Sequence, residues 1–159
     1  MTQPEGGIDH IGITVPNLDD ASRFLERALG ATPMYDTVRR DKPMSGAALD
    51  TQLDLAQGTT LVAMRMMKLA NGPGIELFEM SGTPQQKVAT PGDLGLQHFA
   101  LHVADIQAAA DRFVAAGGQL VTGPNVMFGS SEADASKFLY ARTPWGTIVE
   151  LFHVSTPRT

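Results

Sequence analysis

The chain has 159 residues, 43% of them hydrophobic and 18% charged, an ordinary balance for one globular unit large enough to bury a core. Its formal charge is −5, from 12 Lys and Arg against 17 Asp and Glu, and it has no basic run, so the electrostatic footprint of a nucleic-acid binder is missing. No stretch approaches the roughly 18 apolar residues of a membrane span, and MTQPEGGIDH has neither the basic start nor the apolar segment of a signal peptide, so a cytoplasmic protein that binds no membrane is expected.

Alternation and β-branched content predict a first strand over about 8–15. A helix over about 18–29 follows, with Asn17 as its N-cap, Ala21 as a buried small residue and Gly30 as its C-terminal stop. Strands are expected at about 33–39, 60–68 and 74–80. The pattern then starts again, with a strand at about 96–103, a helix at about 106–116 and strands at about 119–122, 137–142 and 147–154. The 16 Gly and 10 Pro are spread along the chain and punctuate many short elements, which argues against a long helical bundle. Two connections, about 40–58 and 123–136, exceed ordinary hairpin loops and are the natural lid candidates.

The second start is a repeat of the first. IDHIGITVPNLDDASRFLERALG at 8–30 aligns without a gap on LQHFALHVADIQAAADRFVAAGG at 96–118 at an offset of 88, so His10 falls on His98, Asn17 on Asp105 and Gly30 on Gly118. GPGIELF at 72–78 aligns on GTIVELF at 146–152 at an offset of 74, which brings Glu76 onto Glu150. The difference between the offsets makes the first copy 14 residues longer inside. The expected fold is α+β: one domain over 1–159 built from two tandem βαβββ modules, 8–80 and 96–154.

Strand side chains alternate between faces. Ile11, Ile13 and Val15 point one way, toward the helix; His10, Gly12 and Thr14 point the other. His98, Ala100 and His102 are placed likewise. Glu76 and Phe78 share a face, as do Glu150 and Phe152, with Ile75, Leu77, Val149 and Leu151 on the opposite side. A carboxylate flanked by apolar residues in mid-strand is expensive to bury unless it is paired or ligates a cation. The repeat supplies a partner twice, His10 for Glu76 and His98 for Glu150. The chain has no cysteine, so a metal here must sit on His and carboxylate. Two imidazoles and two carboxylates suit one divalent first-row ion, Ni, Co, Zn, Mn or Fe, with open positions for substrate.

The run DHIGITVPNLDDASRFLERALGA, then IELFEM, GLQHFALHVADIQAAADRFVAAGG and RTPWGTIVELF resembles the vicinal oxygen chelate superfamily, the glyoxalase, bleomycin resistance and extradiol dioxygenase proteins, over nearly the whole chain. The resemblance implies paired βαβββ modules closing a half-barrel around a metal, two ligands from each module, and a homodimer acting on a small molecule. His10, Glu76, His98 and Glu150 stand at its ligand positions, a set similar to that of bacterial glyoxalase I. It further implies a lyase or isomerase in which substrate oxygens chelate the metal and Glu150 and Glu76 serve as general base and acid. DHIGITVP and IELFEM resemble methylmalonyl-CoA epimerase, with Ala56 where that family carries Glu ahead of Gln57–Gly58 and Asp54 as a loose substitute. An extradiol-type dioxygenase and a non-catalytic ligand-binding protein of the bleomycin-resistance type are the alternatives.

Met64, Met66 and Phe78 in the first module, and Phe138, Tyr140 and Phe152 in the second, are candidates for the substrate pocket, with His102 and Arg142 as polar members. Arg39 and Arg65 are further candidates to anchor a substrate carboxylate or phosphate. Trp145 is expected to hold the last hairpin together.

Overall fold

A computed structural model describes residues 6–129 and 136–155. The chain divides into two compact units, Met1–Glu26 with Gly30–Gln85 and Arg27–Leu29 with Gln86–Thr159. The first contains β1 (His10–Thr14), α1 (Leu18–Leu29) except its last three residues, β2 (Thr32–Val38), β3 (Met44–Ser45), α2 (Ala47–Leu53), β4 (Thr60–Lys68) and β5 (Gly74–Ser81). The second contains β6 (His98–His102), α3 (Ile106–Ala115), β7 (Gln119–Leu120), β8 (Asn125–Val126), β9 (Lys137–Arg142) and β10 (Ile148–His153).

Each unit is one mixed five-stranded sheet. The orders are β1-β5-β4-β2, with β3 attached to β4, and β6-β10-β9-β7, with β8 attached to β9. β1 runs parallel to β5 and β6 parallel to β10, while the hairpins β4–β5 and β9–β10 are antiparallel. This is the expected α+β pattern, a βαβββ motif written twice.

The helices form where the caps direct them. Asn17 Oδ1 accepts the Asp20 N–H at 3.0 Å and Asp105 Oδ1 accepts the Ala108 N–H at 3.0 Å, each satisfying an orphan donor of the first turn. Leu18, Ala21, Phe24, Leu25 and Ala28 recur at helical spacing on the buried side of α1. Gly30 ends α1 in the left-handed conformation, φ 68°, donating to Glu26 O while Ala31 donates to Leu25 O. The second helix ends differently. There Gly117 takes the positive φ, 107°, and a Cβ on Gly118 would stand 2.3 Å from Phe113 Cε1. Gly118, expected as a helix stop, is therefore a glycine of close packing.

The core lies on the faces that alternation assigned to it: Ile75, Leu77, Val149 and Leu151 are buried, with Phe99, Ala109, Ala110 and Phe113 in the second unit. The long connection 40–58 is less open than its Gly and Ser content implied, because it carries β3 and α2. Leu49 of α2 is buried with Val38 and Leu61, and Leu55, Met64, Phe78 and Met80 pack against that cluster. In the connection 123–136, β8 pairs with β9, and residues 130–135 lie outside the described residues. Trp145 Nε1 donates to Thr147 Oγ1 at 2.8 Å inside the final hairpin. Among the described residues no helix is long and apolar enough to cross a membrane.

Candidate functional site

Parallel pairing sets His10 opposite Gly74 and Gly12 opposite Glu76, so the imidazole and the carboxylate stand on neighbouring strands with nothing bulky between them. Gly74 leaves room here for Met66, since a Cβ on it would lie 2.8 Å from Met66 Sδ, while standing at ordinary contact distance, 3.4 Å, from His10 Cβ. His10 Nε2 stands 3.5 Å from Glu76 Oε2. In the second unit His98 pairs opposite Ile148 and Ala100 opposite Glu150, and His98 Nε2 stands 3.4 Å from Glu150 Oε2. The repeat in sequence is thus a repeat in geometry.

The far side of each ring is also engaged. Asp9 Oδ2 lies 2.8 Å from His10 Nδ1, and Gln97 Oε1 lies 2.5 Å from His98 Nδ1. An ionised carboxylate only accepts, so His10 donates through Nδ1–H, and the same holds for His98 toward an amide oxygen. In the neutral ring the lone pair is then on Nε2, and it faces a carboxylate oxygen. Two lone pairs opposed at this distance call for a cation between them. The hydrogen bond with Asp9, followed by the negative charges of Glu76 and Asp9, holds the His10 pKa above its ordinary value.

A proton serves as that cation, and so does a metal. Two donors each about 2.1 Å from a zinc-type ion at a near-tetrahedral angle are about 3.4 Å apart, which is the spacing each pair shows. The donor set, imidazole nitrogen with carboxylate oxygen, suits borderline divalent ions. Each unit brings two such donors together. Among the described residues no group of three or more His, Cys, Asp or Glu side chains is placed to hold a metal ion.

Beside Glu150 the second unit has a cavity of about 400 Å³ lined by Ala100, Met127, Phe128, Phe138, Tyr140, Glu150 and Phe152. Tyr140 is directly opposite Glu150 across β9 and β10, with its ring centroid 5.2 Å from that of His98. Burial, and then the charge of Glu150, raises the Tyr140 pKa, which keeps the hydroxyl protonated at neutral pH. His102 meets Phe152 edge-on at 5.4 Å but does not line the cavity, and Arg142 lies on β9 outside the lining. In the first unit Met66 sits opposite Glu76 and is buried, while Met64 and Phe78 pack against the Val38–Leu49–Leu61 cluster.

Several residues escaped the sequence reading. Asp9 and Gln97 carry a usable signal, since they too are 88 residues apart. Glu79 is on the core face of β5, buried, where its Oε2 accepts the Leu18 N–H at 2.7 Å and Arg40 binds both its oxygens. Arg65 donates to Asp36 and Asp19. Asp19, Asp36, Arg40 and Arg65, with Arg39 and Asp41, line a second cavity of about 550 Å³ beside Leu18, where Arg39, Arg40 and Arg65 all have acidic partners. Asp54 ends α2 in the left-handed conformation, φ 52°.

The family model described as Glyoxalase/Bleomycin resistance protein/Dioxygenase superfamily matches residues 7–151. A curated 2-epi-5-epi-valiolone epimerase from Actinomyces sp. is 32% identical over 149 residues, covering 92% of this chain and 79% of its own. Among solved structures, a glyoxalase family protein from Bacillus cereus superposes with a TM-score of 0.73 at 22% identity, covering 97% of this chain and 98% of its own. A genomically encoded fosfomycin resistance protein from Listeria monocytogenes superposes with a TM-score of 0.61 at 14% identity, covering 96% of each chain.

Proposed function

We propose that this chain, which belongs to the glyoxalase/bleomycin resistance protein/dioxygenase superfamily, is a divalent-metal-dependent epimerase of a small hydroxylated ketone. His10, Glu76, His98 and Glu150 are the metal ligands, and Glu150 is the base that takes a proton from the carbon next to the carbonyl. The observation that carries the reading is the doubled pair, an imidazole Nε2 facing a carboxylate oxygen at 3.5 and 3.4 Å in the two repeats. The epimerase relative at 32% identity supports isomerisation over the lyase and dioxygenase chemistries of the same superfamily.

A bound divalent ion supplies Lewis acidity to the substrate oxygens beside the reacting carbon. The protein supplies the rest. Glu150 opens into the aromatic-lined cavity, where Phe138, Tyr140 and Phe152 hold the carbon skeleton and exclude water from it. Removing the proton breaks a C–H bond, and the electron pair delocalises onto the neighbouring oxygen. Tyr140, neutral, is placed to donate a hydrogen bond within the cavity. Return of a proton to the opposite face of the planar carbon inverts the centre, and Glu76 is the acid assigned to that step. The working form is assigned as a homodimer.

The test uses 2-epi-5-epi-valiolone, the compound named for the relative, incubated in D₂O with zinc-, nickel- or cobalt-loaded protein. Deuterium should appear at the inverted carbon, and Glu150→Ala should lower its incorporation by about 10²–10⁴-fold. Purified protein should hold metal through dialysis against a weak chelator, and His98→Ala should lose it. Full exchange by Glu150→Ala, or full metal retention by His98→Ala, overturns the assignment. Iron with oxygen uptake would favour a dioxygenase, and absence of metal even after soaking would favour a binding protein. A monomer mass for the metal-loaded protein in sedimentation would overturn the dimer.

A further inference from the structure

Behind the two imidazoles the repeat places different side chains, and this difference has a chemical meaning. Asp9 Oδ2 accepts from His10 Nδ1 at 2.8 Å, and Gln97 Oε1 accepts from His98 Nδ1 at 2.5 Å. A carboxylate offers only acceptors, whichever way it turns. An amide offers an acceptor at one end and donors at the other. Asp9, 2.8 Å from Nδ1 where Glu76 is 3.5 Å from Nε2, thus favours the Nδ1–H tautomer of its histidine, whereas Gln97 can serve either tautomer of His98, one for each orientation of its amide.

We propose that Asp9 and Gln97 are unequal positioning residues of the metal site: Asp9 locks His10 in the Nδ1–H tautomer, with Nε2 as the ligand nitrogen, and Gln97 leaves His98 the looser ligand. The inference rests on the ligand assignment given above and goes beyond it by ranking the two halves as the firm and the yielding grip on the ion. A negative charge behind the ring also makes Nε2 a stronger donor than a neutral amide does, in the manner of a carboxylate–histidine–metal relay. The backbone keeps the geometry independent of the Asp9 carboxylate, since Gly74 N–H donates to Asp9 O at 2.7 Å whatever the side chain is.

Two measurements test it. In metal-free protein, at a pH above imidazole titration, ¹⁵N-edited NMR should show His10 as a single Nδ1–H tautomer. It should show His98 as a mixture. Asp9→Ala should shift His10 toward the Nε2–H form. In a chelator competition with Zn²⁺ alone, Asp9→Ala should weaken binding about 10–100-fold, while Gln97→Ala stays below about tenfold. Asp9→Asn should fall between wild type and Asp9→Ala, because its amide oxygen can accept but carries no charge. His10→Ala is the reference variant. If it keeps wild-type zinc affinity, the ligand assignment itself fails. If it loses zinc while Asp9→Ala binds like wild type, or if apo His10 is the Nε2–H tautomer, the ligand stands and the role given to Asp9 is wrong.

Discussion

Beside Glu76 the neighbouring strand presents Met66; beside Glu150, at the equivalent position of the repeat, it presents Tyr140. The exchange is one of many around an unchanged His–Glu pair. On the carboxylate face of the first sheet, Met64 and Phe78 are packed against α2 and its Leu49, whereas Phe138 and Phe152 in the second sheet line an open cavity. On the opposite face the first sheet carries Arg65 and Glu79, tied to Asp36 and Arg40, where the second carries buried Leu139 and half-buried His153, whose Nδ1 lies 3.1 Å from Val103 O. Duplication preserved the elements that bring an imidazole to a carboxylate and released the surroundings. The first copy is 14 residues longer inside and packs α2 over this face, where the second keeps a cavity.

The largest expected effect separates the carboxylates by function. Glu150→Gln should lower turnover about 10²–10⁴-fold while leaving the melting temperature near wild type. Glu76→Gln, facing the packed half, should raise the zinc dissociation constant at least as much as it lowers turnover. Equal loss of turnover in both variants with unchanged metal affinity would erase the functional difference between the copies.

The two glycines at the helix exits come next. Gly118→Ala forces a Cβ into the Phe113 ring and should cost about 1–3 kcal/mol in denaturant unfolding. Gly30→Ala meets no atom within 4 Å and should cost only its left-handed backbone strain, about 1 kcal/mol. A reversed order would show that the equivalence of Gly30 and Gly118 in sequence is also an equivalence of role. The N-caps should behave alike, Asn17→Ala and Asp105→Ala each losing about 1 kcal/mol, because the same contact to the third residue of the helix is made in both.

The smallest effect concerns pH and Asp36 in the first half. The hydrogen bond from Arg65, then its charge, holds the Asp36 pKa below the ordinary carboxylate value. A depressed folded pKa gives stability that is fully present above the unfolded value and is lost as pH falls through the folded one. The melting temperature should therefore decline below the normal carboxylate range, and Asp36→Asn should flatten a small part of that decline. An identical acid slope in the variant would remove Asp36 from the account. Surface exposure and salt screening keep the contribution minor.

Where period and repeat agree, the sequence discloses the structure. The pairings of His10 with Glu76 and of His98 with Glu150 were legible because a strand has only two faces and the repeat sampled the same one twice. The caps were legible because Asn17 and Asp105 act on residues three positions away. Contacts set by distant partners were not. Glu79 follows Phe78 in IELFEM and falls on the core face, and nothing local to it announces Arg40, 39 residues earlier, as the charge that makes its burial tolerable. α2 was hidden for another reason: AALDTQL is a fair helical run, yet seven residues behind an uncapped Gly46 read as loop until Leu49 finds Val38 and Leu61. Gly118 looked like Gly30 because the alphabet records the residue and not whether its missing side chain serves a turn or a neighbour.

In both sheets the first strand lies beside the last. β1 has β5 as its sheet neighbour and β6 has β10, so each opening strand stays without a hydrogen-bonded neighbour until the closing one has been made. During synthesis, the segment carrying His98 must therefore wait for Ile148–His153 to leave the ribosome before its edge is covered. A nascent chain halted just before Ile148 would hold its opening strand bare and lack Glu150 altogether. Completion of the sheet and completion of the His98–Glu150 pair are thus the same event.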